Sequence, residues 1–183
     1  MRIPIDILKS KKRKKLVFHK TGFDRVSEYF TEFITLFALI LMSVSTILNE
    51  FKNHQRIVLP IIILIITLII ISGIIYSIFN TSNLKVLTGI SKAKNKSDVG
   101  KISELKNWKI IDEGKDHKTI LITDKWGGFH WGKYLTIIFQ KNELLLNSYS
   151  TDVFGAISPY HWFGNRKVEK EFISQIELLN NVP

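Results

Sequence analysis

The chain has 183 residues, of which 45% are hydrophobic, and a formal net charge of +10 at pH 7. It contains no cysteine, which excludes a disulfide framework and any metal or redox site built on thiolates. The charge is uneven, because residues 1–29 hold nine Lys and Arg against three acids, whereas residues 30–79 hold two of each. Such a basic balance favours nucleic acid, anionic lipid or an acidic molecule as the partner.

Residues 1–29 are predicted to form a basic tail. One interpretation is a solvated, disordered tail. The functional interpretation is a juxtamembrane segment that binds anionic lipid headgroups, since each cation near an anionic leaflet contributes on the order of 1 kcal/mol. No stacking aromatic residues are interleaved with the cations, which argues against nucleic acid as the partner. The six cations fall within seven positions and are Lys9, Lys11, Lys12, Arg13, Lys14 and Lys15.

Two apolar stretches predict a transmembrane hairpin. Residues 57–79 contain no charged residue, His, Asn or Gln in 23 positions, and a helix of that length rises about 35 Å, enough to cross a bilayer. Residues 30–49 form a weaker span, and the seven-residue link at 50–56 makes the two helices antiparallel. The small residues expected at their contact are Thr35, Ala38, Met42 and Ser45 in the first span and Thr67, Ser72 and Gly73 in the second.

The distribution of cations predicts the orientation of this hairpin. The link carries two cations and the preceding tail carries nine, so the tail is expected in the cytoplasm and the link outside. The chain then returns, and residues 80–183 lie in the cytoplasm as well. This predicts a multi-pass protein of the cytoplasmic membrane with both termini on the inner side.

The remainder predicts a linker at 80–96 and a small cytoplasmic α+β domain at 97–183. The domain is expected to have a mainly antiparallel sheet of about four strands with flanking helices, because the predicted strands are mostly consecutive and a helix lies on either side of them. Residues 85–90 are either a strand or an extension of the second span. The predicted strands are 108–112, 119–123, 134–140 and 144–149. The predicted helices run from an N-cap at Ser97 to Trp108 and from an N-cap at Asn165 through residues 166–179.

Two similar segments, 127–132 and 159–164, each place His-Trp between an aromatic residue and a glycine. They either cap the end of the sheet, or lie at the headgroup layer, or line a ligand pocket in which the histidines supply polar groups. The residues of the candidate pocket are Trp126, Phe129, His130, Trp131, Tyr134, Tyr160, His161 and Trp162.

No catalytic motif is recognisable, and neither a cofactor nor a metal site is expected. The acids Asp112, Glu113, Asp116 and Asp124 fall on predicted turns, where Asp is common without any catalytic role. Ser148, Ser150 and Ser158 lack the surroundings of a nucleophile. A second basic patch is expected on the last helix, at Arg166, Lys167 and Lys170.

These features favour a membrane-anchored interaction module that acts as an accessory or scaffold subunit, with a protein partner or a second copy of itself. In architecture alone, the chain resembles bacterial defence effectors that have two N-terminal spans and a small β-rich cytoplasmic domain. That resemblance implies a ligand-responsive membrane effector that senses a small anionic ligand. A third interpretation is an enzyme that acts on lipid through His130 or His161.

Overall fold

A computed structural model of the protein describes residues 4–19, 22–52, 58–89, 91–122, 132–151, 157–158 and 161–181. The helices are α1 (Ile7–Arg13), α2 (Gly22–Lys52), α3 (Val58–Asn80), α4 (Lys92–Leu105) and α5 (Trp162–Asn181). The strands are β1 (Lys85–Thr88), β2 (Lys109–Glu113), β3 (His117–Ile122), β4 (Lys133–Phe139), β5 (Glu143–Thr151) and β6 (Ile157–Ser158). The chain forms two compact units, a hairpin unit at Lys20–Ile78 and an α+β unit that combines Met1–His19 with Phe79–Pro183.

The hairpin unit contains two helices that are long and apolar enough to cross a membrane. Their most apolar windows are Phe33–Glu50 and Pro60–Asn80, and only 6% and 11% of these windows is buried. A core helix of a soluble protein would bury most of such a surface. The two predicted apolar helices are therefore confirmed as helices, although α2 begins at Gly22, eight residues before the predicted stretch.

One polar pair joins the two helices of the hairpin unit. The hydroxyls of Ser43 and Thr67 lie 2.7 Å apart, and Ser43 also donates a hydrogen bond to the carbonyl of Leu39 at 3.0 Å. The prediction of Thr67 at this contact is confirmed. The rest of the predicted contact was largely wrong, because Ser43 faces α3 in place of Ser45. Most of the other small residues predicted at the contact therefore point away from it. The exposed residues are Ala38, Met42, Ser45, Ser72 and Gly73.

The α+β unit is built on one antiparallel sheet with the strand order β1-β5-β4-β3-β2, and β6 pairs with the end of β5. The four predicted strands are confirmed as β2 to β5, with ends shifted by up to two residues. Residues 85–88 are a strand, which resolves the alternative in that region. β1 and β6 both pair with the edge of β5 that faces away from β4, which adds two strands to the predicted four. α4 connects β1 to β2 at the opposite edge of the sheet.

Helices α4 and α5 cover one face of the sheet, hereafter the helix face. The predicted apolar stripe of the last helix is confirmed, since Val168, Phe172 and Ile176 are buried in the main core with β-strand residues. The predicted start of the preceding helix was wrong, because α4 is capped by Ser91, which accepts a hydrogen bond from Lys94 N at 3.2 Å. Lys and Ala after Ser91 are good helix formers, so the N-cap lies six residues before the predicted Ser97.

Residues 4–19, hereafter the N-terminal segment, cover the opposite face of the sheet. Leu16 is 4% exposed and belongs to a second core cluster with Leu84, Ile138, Leu145 and Tyr149. This differs from the interpretation of the basic stretch as a solvated, disordered tail. The cations dominate that stretch of sequence, whereas the few apolar residues between them are enough to bury it against the sheet.

The N-terminal segment is a closed loop with α1 at its centre. Asp6 N donates to Val17 O at 2.7 Å, and His19 N donates to Pro4 O at 2.8 Å, so its two ends pair. Ser10 is fully buried at the middle, where it donates to Asp6 O and accepts from Val17 N. These hydrogen bonds satisfy backbone groups that would otherwise lack a partner, because the segment contains no strand of the main sheet.

A short connector, residues 81–84, joins α3 to β1 and is bonded on two sides. Asn147 of β5 donates from Nδ2 to the carbonyls of Thr81 and Asn83, at 2.7 and 2.8 Å. From the N-terminal segment, Leu16 N donates to Ser82 O at 2.7 Å. The connector is thus fixed within the α+β unit.

Candidate functional site

The helix face changes from apolar to polar towards the first turn of α5. Along β5 the buried residues on this face are Leu144 and Leu146, followed by Ser148 and Ser150. Ser150 pairs directly with Lys133 of β4 on one side and with Ser158 of β6 on the other. Because paired residues point to the same face, these polar side chains lie side by side. The polar cluster consists of Ser148, Ser150, Ser158, Asn165 and Glu169.

Glu169 is the charged centre of the polar cluster and is 1% exposed. Its Oε1 accepts a hydrogen bond from Ser148 N at 3.0 Å. Its Oε2 accepts from Arg166 Nη1 at 2.7 Å and lies 3.0 Å from Lys85 Nζ. A buried carboxylate is tolerated because both oxygens have donors and two of these carry positive charge. Arg166 also extends Nη2 to the carbonyl of Asn80, at 3.4 Å.

Three other polar atoms of the cluster have no hydrogen-bond partner. Ser150 Oγ donates to Asn165 Oδ1 at 2.7 Å, which satisfies that pair on one side. Ser148 Oγ, Ser158 Oγ and Asn165 Nδ2 are buried without a partner in the part of the chain that the structure describes. Buried polar groups are hydrogen-bonded in the great majority of cases. Three unpartnered atoms in one place therefore make this cluster a candidate binding site.

Cations flank the cluster on the side of β4. A methyl group placed on Gly164 would lie 3.9 Å from Lys133 Nζ, so this ammonium lies beside the first turn of α5. Burial lowers the pKa of His161, and the nearby charge of Lys133 lowers this pKa further. The neutral imidazole is therefore favoured at neutral pH. Of the predicted pocket residues, His161 is the one that lies at this end of the helix face.

Tyr134 lies on the opposite face of the sheet. Its ring stacks on Tyr149 with centroids 5.3 Å apart, and Tyr149 meets Phe18 edge-on at 5.2 Å. Gly132 allows this arrangement, because a Cβ there would lie 2.6 Å from the Tyr134 hydroxyl oxygen and 2.7 Å from its Cε2. The structure therefore does not bring Tyr134 and His161 to one face. Trp162 is the first residue of α5. The remaining predicted pocket residues lie outside the described residues, namely Trp126, Phe129, His130, Trp131 and Tyr160.

The predicted basic patch on the last helix divides into two kinds of residue. Arg166 turns inward to the carboxylate of Glu169. Lys167 and Lys170 are exposed. An anionic partner at this surface would therefore meet two lysines rather than three cations.

The six N-terminal cations divide in a similar way. Lys9 Nζ lies 3.0 Å from Asp6 Oδ2, and Lys11 Nζ lies 2.8 Å from Asp116 Oδ2. The other four form an exposed basic turn, and none has an acidic partner within the described ranges. The basic turn consists of Lys12, Arg13, Lys14 and Lys15.

The acids on the β2–β3 turn are paired with bases. Asp112 accepts from His117 at 3.0 Å, and Glu113 lies within 3.4 Å of Lys96 and Lys118. Among the residues that the structure describes, no three His, Asp or Glu side chains converge in a way that could hold a metal ion. The turn acids thus form ion pairs. Asp124 lies outside the described residues.

Asp116 on this turn pairs with cations from two elements, Lys11 of α1 and Lys92 of α4. Hydrogen bonds from these two lysines hold the pKa of Asp116 far below its usual value of 3.8. The folded pKa lies below the unfolded one, so the stabilisation is fully present above pH 3.8 and is lost as the pH falls through and below that value.

We therefore expect Asp116→Asn to unfold at lower denaturant concentration than the parent chain, by a constant amount between pH 5 and 7. The difference should shrink below about pH 4, where the unfolded chain takes up a proton at this carboxyl while the folded chain keeps it ionised. Denaturant titrations at several pH values measure it. Glu104→Gln, at an exposed position of α4, is the control, and an equal effect of both variants would contradict the assignment.

Sequence reasoning missed Asn165 and Glu169 as site residues, although a signal was present. They are four residues apart, and Glu169 lies next to Val168 on the buried side of α5. A carboxylate on an apolar helix stripe indicates a buried partner. Ser148 and Ser150 alternate on the buried face of a strand in the same manner. The pairing of Glu169 with Lys85 could not be predicted, because Lys85 is 84 positions away in the chain.

With the fold and the cluster described, the chain can be placed in a class: a two-helix apolar hairpin inserted into an α+β unit with a six-stranded antiparallel sheet. No protein-family model, no curated protein and no solved structure matches it.

Proposed function

We propose that the protein is a membrane-anchored interaction module. In this proposal α2 and α3 cross the cytoplasmic membrane as a hairpin, and the α+β unit acts in the cytoplasm as an accessory or scaffold subunit for a protein partner or a second copy. The supporting observation is that the α+β unit takes residues from before and after the hairpin. A single folded unit lies on one side of a membrane, so the chain between its two parts must cross the membrane an even number of times. Two spanning helices meet that requirement. The excess of cations before the first span favours the cytoplasmic side.

The proposal includes contact between the basic turn and anionic lipid headgroups. Leu84 N donates to Lys14 O at 3.0 Å, and Leu16 N donates to Ser82 O. Ser82 comes two positions after the apolar window that ends at Asn80. At about 3.5 Å per residue, these bonds hold the basic turn within about 10 to 20 Å of the end of that window. Each exposed cation then contributes on the order of 1 kcal/mol to lipid binding.

Single cysteines test the topology directly, since the chain has none of its own. We expect a membrane-impermeant maleimide to label Asn53→Cys in intact cells. Lys12→Cys and Leu178→Cys, at two exposed positions of the α+β unit, should be labelled only after permeabilisation. Equal labelling of all three in intact cells would contradict the proposed orientation. Co-purification of a stoichiometric partner after detergent extraction tests the role as a subunit.

A second candidate function is a ligand-responsive membrane effector, and the polar cluster favours it. Arg166 connects the buried Glu169 to the carbonyl of Asn80, the last residue of α3. A ligand that changed the hydrogen bonds of Glu169 would therefore act on the residue where the chain leaves the apolar helix. Depolarisation of the membrane on overexpression, lost in Arg166→Met, would favour the effector over the scaffold.

A further inference from the structure

The unpartnered atoms of the polar cluster lie close together around the first turn of α5. Ser148 and Ser150 are two residues apart on β5, a separation of about 7 Å, and Ser158 is the direct neighbour of Ser150 on β6, about 5 Å away. Asn165 reaches Ser150 from the helix. Ser148, Ser158 and Asn165 therefore lie near one another on the helix face, and each residue is at least 96% buried.

The chemistry of this part of the helix face is that of an anion site. All three unpartnered groups can donate a hydrogen bond, and the amide nitrogen of Asn165 can only donate. Among the described residues, Lys85 and Arg166 both pair with Glu169, so this ion cluster carries one more positive than negative charge. The first turn of α5 adds the positive end of a 20-residue helix.

We propose that the polar cluster binds a small free oxyanion of the size of inorganic phosphate. The hydroxyls of Ser148 and Ser158 and the amide of Asn165 donate hydrogen bonds to its oxygens. The first turn of α5 and the excess positive charge of the Glu169 ion cluster supply the balancing charge. The burial of all three donors favours a small free anion, because an anion attached to a larger molecule could not be enclosed there.

The experiment uses the full chain in detergent free of anionic lipid. Its thermal unfolding is followed by tryptophan fluorescence with increasing sodium phosphate, against sodium chloride at equal ionic strength. We expect phosphate to raise the unfolding temperature with saturation. Ser148→Ala and Ser158→Ala should raise the phosphate concentration at half-effect about tenfold or more. Without phosphate, neither variant should be less stable than the parent, because each removes a buried hydroxyl that has no partner.

Ser103→Ala is the matched control, since Ser103 is a buried serine whose hydroxyl already donates to Val99 O at 2.8 Å. It should keep the phosphate response of the parent chain. Phosphate that stabilises no better than chloride would overturn the proposal, as would an unchanged response in both serine variants. Stabilisation by vesicles containing phosphatidic acid, without a response to free phosphate, would likewise overturn it in favour of a lipid headgroup. The test requires neither the scaffold nor the effector function.

Discussion

Replacing Leu16 by aspartate is expected to release the N-terminal segment and to destabilise the α+β unit strongly. Leu16 is 4% exposed and packs with Leu84, Ile138, Leu145 and Tyr149. Deleting a buried leucine side chain usually costs about 2 to 5 kcal/mol, and a buried unpaired carboxylate adds to this. Since whole domains are stable by only about 5 to 15 kcal/mol, we expect most of the unit to unfold.

Leu8→Asp supplies a control with identical chemistry in the same segment. Leu8 is 79% exposed, so its replacement should change stability by about 0.5 kcal/mol or less. Limited proteolysis and denaturant titration of the detergent-solubilised chain measure both variants. If the two variants proved equally stable, residues 4–19 would be a solvated tail and not part of the core.

The second large effect is expected at Glu169. Replacing it by alanine leaves Lys85, Arg166 and the amide of Ser148 without their shared acceptor. Breaking a buried ion pair by removing one partner costs about 3 to 5 kcal/mol. We therefore expect Glu169→Ala to lower the free energy of unfolding by that amount, measured by denaturant titration.

Glu171 on the same helix is the matched control. It pairs with Lys106 at 2.7 Å, but both side chains are about one-third or more exposed. Such surface pairs contribute about 0 to 1 kcal/mol, so Glu171→Ala should have little effect. A further variant, Arg166→Met combined with Glu169→Leu, removes both charges and should recover part of the stability lost in Glu169→Ala. An equal loss in Glu169→Ala and Glu171→Ala would mean that burial of Glu169 does not govern its contribution.

The elements that could be predicted from sequence are those with a strong local pattern. The apolar run at 57–79 predicted α3 to within one residue, and the turns after 112 and 140 predicted the meander β2 to β5. The stripe of α5 was also evident, since Val168, Phe172 and Ile176 recur at helical spacing. Each of these signals lies within about 20 consecutive residues, where periodicity is informative.

Features that depend on distant residues could not be predicted. The burial of Leu16 depends on Leu145, 129 positions later, and no local pattern shows that contact. The contact face of α2 was misplaced because apolar residues surround both helices, so periodicity does not distinguish the face around Ser43 from its neighbours. The polar cluster joins β5, β6 and α5, which only the tertiary fold brings together.

The N-terminal segment also has a consequence for biosynthesis. Its partners on β5 leave the ribosome about 130 residues after it, on the order of 10 s later at ordinary rates of translation. In the proposed topology, the cations of the segment are available during that interval to direct insertion of the two apolar helices, before Lys11 meets Asp116. The domain could then close only when both helices have been synthesised and the chain has returned to the same compartment. In that topology, completion of the domain is a built-in check that the hairpin has been inserted.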